Sequence, residues 1–194
     1  MNSGEDALGS RFVAAGEGAN ITGEGSRTVT QQTAQRYSLC VTNLVATVGG
    51  GAVYGEFNVL NGNYYGAVVG FLGAVVQKDG LDLNKDHANE DNDEAYFMSL
   101  SSGSLWGSGK ANDSRQGDWC VKTGDRMGVL VKAGPEGFVK FFKNSEAFGG
   151  TFSGPIQSPL VVAVQMSRYS NGMSLELLPD AVIKKEEYLQ TPGR

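Results

Sequence analysis

GDRMGVLVKAGPEGFVKFFKNSEAFGGTF, residues 124–152, is the stretch that decides the fold. It holds two runs rich in Val, Leu and Phe, at 127–132 and 138–143. Such side chains favour a pleated, half-buried surface. Gly134-Pro135-Glu136-Gly137 stands between the runs, and Asn144-Ser145-Glu146 follows the second. Both read as chain reversals. The stretch therefore predicts antiparallel strands joined by tight turns.

The same grammar extends in both directions. Further strands are expected at 10–14, 27–30, 37–45, 52–60, 65–72, 95–100, 104–106, 159–166 and 173–178. Asn61-Gly62-Asn63 predicts a hairpin joining 52–60 to 65–72. The nearly continuous apolar run Leu160, Val161, Val162, Ala163, Val164 predicts a strand buried on both faces. Asp180 as an N-cap, followed by Val182, Ile183 and Leu189, predicts one short C-terminal helix over 180–189. The 28 glycines follow no Gly-X-Y period and suit many short strands with tight turns. The expected fold is all-β: a two-sheet antiparallel β-sandwich or jelly roll. At 194 residues one core is the default, with a loose segment at 1–9, the sandwich at 10–180 and a tail or short helix at 181–194.

Charge is unevenly placed. The net charge is −5, yet residues 79–94 hold seven acids and one lysine, leaving 15 basic against 14 acidic groups elsewhere. No basic stripe serves phosphates, so nucleic acid is not an expected partner. No run reaches the roughly 18 apolar residues of a membrane span. MNSGEDALGS lacks the basic and apolar regions of a secretory signal. The two cysteines, Cys40 and Cys120, are too few for a disulfide scaffold, and Cys40 in its apolar run reads as a buried free thiol. The chain is read as cytoplasmic.

Several segments, in order, resemble the SPRY (B30.2-type) domain family. Gly124-Asp125-Arg126-Met127-Gly128-Val129, Phe141-Phe142-Lys143-Asn144 and Phe148-Gly149 with Phe152 resemble its core pattern. Tyr54-Gly55-Glu56-Phe57-Asn58-Val59 resembles its "Y-F-E-V" strand, Gly66-Ala67-Val68-Val69-Gly70 its "V-G-V-A" strand, and Ser102-Gly103-Ser104-Leu105-Trp106 its Ser-Asp-Gly-x-Leu-Trp turn. Four positions depart. Ser145 stands where the family prefers Gly, Gly55 replaces an aromatic residue, and Gln165-Met166 replaces the Trp-Gly of some peptide-binding members. The resemblance implies a bent, concanavalin-like antiparallel β-sandwich without enzymatic activity, and no cofactor is expected. It also implies a protein-interaction module, often inside larger multi-domain or multi-subunit assemblies such as ubiquitin ligases, that holds a peptide or protein surface with loops at one end.

The residues by themselves offer little catalysis. His87, the one histidine, lies in the acidic loop with no nucleophile motif nearby and reads as solvated. Glu56 and Glu176 are isolated strand acids, not the facing pair a glycoside hydrolase needs. No Lys-Ser/Thr or helix follows Gly49-Gly50-Gly51, so it is no phosphate loop. Asp82, Asn84, Asp86, Glu90 and Asp93 fall at Ca²⁺-loop positions 1, 3, 5, 9 and 12, but His87 occupies the place of the turn glycine, and a solvated acidic loop is the preferred reading.

Loop aromatics matter more to a binding module, because rigid rings supply contact area at low entropic cost. By position, 165–171 corresponds to the family's ligand-contacting loop. Arg168 and Tyr169 are the first candidates for partner contact, with Gln165, Asn171, Arg115 and Trp106 beside them. The alternatives are a lectin-like sandwich using Trp106 with Asn112 and Asp113, or a structural subunit of a larger assembly.

Overall fold

The computed structural model describes residues 9–32, 37–62, 70–88, 95–108 and 121–179. Of the segment expected to be loose (1–9), residues 1–8 lie outside them, as does the expected helix (180–189). Two antiparallel sheets stack face to face, and 3-10 turns are the only helical elements among the described residues.

One sheet has six strands: β1 (Phe12–Ala15), β4 (Tyr37–Ala46), β12 (Leu160–Ser167), β6 (Phe71–Val76), β7 (Ala95–Ser99) and β8 (Leu105–Trp106), in that spatial order. The other has seven: β11 (Glu146–Ile156), β10 (Gly134–Lys143), β9 (Arg126–Lys132), β5 (Val53–Asn61), β13 (Ser174–Leu177), β3 (Thr28–Gln31) and β2 (Ala19–Thr22). The core between them follows strand alternation. Phe57 and Val59 of β5, Met127, Val129 and Val131 of β9, and Val139 and Phe141 of β10 face Leu160, Val162, Val164 and Met166 of β12.

The opening stretch folds largely as read, with two differences: Gly134–Gly137, read as a turn, opens β10 and pairs with the strand that follows it (Gly134↔Ile156, Gly137↔Gly154), and that strand is an addition. β9 and β10 pair in register from Phe138↔Lys132 to Lys143↔Met127. Residues 146–156 form a third strand, β11, that the composition did not announce. Gly149, Gly150, Gly154 and Pro155 suit an edge strand. The glycines also have packing duties: a Cβ on Gly149 would lie 2.8 Å from Met98 Sδ, and one on Gly150 would lie 2.7 Å from Leu105 Cδ1. Their absence lets β11 fold over the β7–β8 edge of the other sheet.

The hairpin at Asn61-Gly62 is a correction. β5 and β6 belong to different sheets and do not pair. The predicted strand at 65–72 is replaced by β6 at Phe71–Val76, and residues 63–69 lie outside the described ones. Asn-Gly reports a reversal; it does not specify which sheet receives the chain.

β12 is buried on both faces, as its continuous apolar run predicted. Its second face carries Val161 and Ala163, which join Leu39, Val41, Val75, Ala95 and Phe97 in a cluster outside the inter-sheet core. The cover of that cluster comes from the acidic loop.

Candidate functional site

The described part of the acidic loop is not solvated throughout, which corrects the sequence reading. Leu81 and Leu83 pack on the outer face of the six-stranded sheet, and Ala88 is buried there. Leu39 N donates to Leu83 O (2.7 Å), and Glu17 N donates to Asn84 Oδ1 (2.9 Å). Gly16 makes room: a Cβ there would lie 2.4 Å from Leu83 O. His87 is buried rather than solvated. Its main-chain N donates to Gln165 Oε1 (2.8 Å), and its Nε2 lies 2.7 Å from Asp82 O. A carbonyl only accepts, so Nε2 carries a proton.

Gln165 therefore holds this strap. Its Nε2 donates to Asp86 Oδ1 (2.7 Å), and its side chain is inaccessible from solvent. The expectation that Gln165 meets a partner does not fit this placement. Of the Ca²⁺-spaced residues, Asp82 accepts from Asn84 N, Asn84 from Glu17 N, and Asp86 from Gln165. Glu90 and Asp93 lie outside the described residues.

A second polar group ties the end of the β9–β10 pair. Asp125 Oδ2 accepts from Lys122 N (2.8 Å) and meets Lys143 Nζ (3.1 Å), while Oδ1 accepts from Asn144 Nδ2 (3.0 Å). Asn144 Oδ1 accepts from Arg126 N (2.9 Å). Burial works to raise the Asp125 pKa, but hydrogen bonds from Lys122 N, Asn144 and Lys143, with the lysine's charge, hold the carboxyl below its ordinary value. The Gly-Asp-Arg and Lys-Asn elements of the resemblance are thus structural. Asn144 and Ser145 both have positive φ (52° and 71°), the geometry of a two-residue hairpin turn, which explains a preference for Gly at the second position.

The chain leaves β12 through a 3-10 turn, Arg168–Ser170. Ser167 Oγ accepts from Tyr169 N (3.2 Å), and Ser167 N donates to Ser170 Oγ (3.0 Å), a reciprocal cap that stiffens the turn. Tyr169 stands on it 61% exposed, as expected of it, and Asn171 is exposed. Neighbouring turns are bonded to this one. Asn61 Nδ2 donates to Gly172 O (3.0 Å), Gly172 N to Gln31 O (2.9 Å), and Gly62 N to Thr123 Oγ1 (2.9 Å).

The other candidates are scattered. The Arg168 side chain and all of Arg115, Asn112 and Asp113 lie outside what the structure describes. Trp106 is in β8, with its ring 5.8 Å from Phe71 at 74°, and it packs against the outer-face cluster. It serves that cluster as a cover. The alternation of β5 contains a clue that sequence reading passed over: Phe57 and Val59 point inward, so Leu60 points to solvent, and it is 46% exposed.

Glu56 and Glu176, read as isolated from the sequence, stand on the outward face of the neighbouring strands β5 and β13, each with a partner within the chain. Glu56 lies 3.8 Å from Arg126 Nη1, while Glu176 accepts from Asn58 Nδ2 at 3.1 Å. Burial pushes the Cys40 thiol up to about 12, so it is no thiolate nucleophile near neutrality. At the opposite end of the sandwich, a hollow of about 360 Å³ is lined by Val76, Tyr96, Ser108, Pro155, Ile156, Gln157 and Ser158, without acid, histidine or cysteine. No group of three His, Cys, Asp or Glu residues able to hold a metal ion occurs among the described residues. No described helix is long and apolar enough to cross a membrane.

The two sheets, their strand order and the crossing strap can be compared with known architectures. The SPRY domain of human HERC1 superimposes with a TM-score of 0.67 at 16% identity, covering 88% of this chain and 99% of that one. A second human SPRY domain gives a TM-score of 0.65 at 21% identity, with the same coverage. The NEUZ (NHR) domain of Neuralized from Drosophila melanogaster gives 0.55 at 9% identity, covering 92% of this chain and 96% of that one. No protein-family profile matches the chain, and no curated protein matches its sequence. The chain has the SPRY-type β-sandwich fold.

Proposed function

We propose that this chain is a non-catalytic protein-interaction module that binds a peptide segment or protein surface at the end of the sandwich carrying Tyr169. One observation carries the reading. A large aromatic side chain stands 61% exposed on a turn stiffened by its own cap. A rigid, exposed tyrosine is the kind of group that dominates binding energy at interfaces. The burial of Cys40, which keeps it a thiol near neutrality, supports the non-enzymatic part. The likeness to SPRY and NHR domains agrees with it at the level of fold.

The test is a paired affinity capture from source cells with the wild-type chain and with Arg168→Ala/Tyr169→Ala. The expected result is loss of a reproducible set of captured proteins with a melting temperature within a few degrees of wild type. An unchanged set would move the binding surface elsewhere.

A further inference from the structure

Three turns fuse at the Tyr169 end into one ledge: 60–62, 122–124 and 169–172. The bonds from Asn61 to Gly172 and from Gly62 to Thr123 join them, with Gly124 N donating to Val59 O at 2.9 Å. The ledge carries two of the four large apolar side chains that stand most exposed among the described residues, Leu60 (46%) and Tyr169 (61%). Lys122 is exposed and in no ion pair among the described residues. The ledge contains no Asp or Glu, and the adjoining Asp125 is already held by Lys143 and Asn144. Asn171 is exposed, with a side-chain amide able to donate and accept at once, as a peptide group does. Gly62 N, Lys122 N, Gly124 N, Tyr169 N and Gly172 N and O are already bonded within the chain, and the exposed side chains are the groups assigned to recognition.

We propose that the ledge takes an extended peptide segment bearing an apolar side chain next to a carboxylate. The apolar group packs on Leu60 and Tyr169, the carboxylate meets Lys122, and the Asn171 amide bonds the peptide main chain. This rests on the protein-binding reading above and adds the chemistry of the partner.

The experiment selects phage-displayed random dodecapeptides on the immobilised full chain, then measures synthetic versions of the enriched sequences by calorimetry. The enriched peptides should share an apolar residue beside Asp or Glu. Converting that acid to its amide should weaken binding about fivefold. Lys122→Glu should weaken the acidic peptide by at least as much and abolish its advantage over the amide. Tyr169→Ala and Leu60→Ser should each cost about tenfold or more, with folding checked by circular dichroism. Peptides with no acidic preference, or ones sensitive to Tyr169→Ala and indifferent to Lys122→Glu, overturn the ledge chemistry and leave the protein-binding reading standing. Indifference to Tyr169→Ala, or no enrichment at all, overturns both.

Discussion

The strap at 81–88 and the ledge around Tyr169 are both polar loop regions next to the end of β12, and they spend their polar groups in opposite ways. In the strap, Asp82, Asn84, Asp86 and His87 are turned to partners within the chain, and the leucines between them cover a sheet face. In the ledge, main-chain groups and Asn61 hold the scaffold, while Leu60, Lys122, Tyr169 and Asn171 remain at the surface. A cluster of charged and amide residues is therefore no guide to a binding surface until their partners are known. Buried polar groups are almost always satisfied from within, and the ones left for recognition are those the fold does not use.

Five substitutions test which polar groups the fold uses, from the largest expected effect on stability to the smallest. Gln165→Ala should cost the most, about 3 kcal/mol in denaturant unfolding, because it leaves His87 N and the Asp86 carboxylate without their partner in a covered site. A cost below about 1 kcal/mol would mean that the strap is held by its leucines alone. Asn144→Ala should cost about 1–2 kcal/mol, from lost bonds to Arg126 N and Asp125.

The same group makes a pH prediction. The Asp125 carboxyl is held below its ordinary value in the folded chain, so its stabilising contribution is present above the unfolded pKa, about 4, and is lost as pH falls through the folded value. The stability gap between wild type and Asp125→Asn should therefore be widest near neutrality and close in acid. A gap that stays constant down to about pH 2 would remove the carboxylate's charge from the account.

Ser145→Gly should change stability by less and in the opposite direction, raising it by about 0.5–1 kcal/mol, since φ of 71° is strained for serine and free for glycine. Tyr169→Ala should be nearly neutral, within about 0.5 kcal/mol, because an exposed side chain on a capped turn contributes little to folding. A large loss there would make Tyr169 a packing residue and blur the distinction between strap and ledge.

Much of this was legible in the residues. Alternation and turn chemistry between 124 and 152 announced antiparallel strands, and β9 and β10 lie where the Val and Phe runs put them. The double burial of β12 could be read from an unbroken apolar run, and the exposure of Tyr169 from its polar neighbours. The edge strand β11 was not legible, because glycine and proline look the same in a loop as on a sheet edge. Gln165 was mistaken for a surface contact for a related reason: a polar residue ending an apolar strand looks exposed unless the segment that covers it is known. That segment lies 77 or more residues earlier in the chain.

By themselves the residues determined the local conformation: period-two patterning set the strands, and Gly, Pro and Asn set the turns. Those properties depend on steric and hydrogen-bonding preferences within a few neighbours. Only the tertiary structure decided which sheet receives β6, what covers the outer face of β12, and which three turns meet at Tyr169. These are contacts between residues far apart in sequence, and strand pairing is chosen by the burial that the whole assembly achieves.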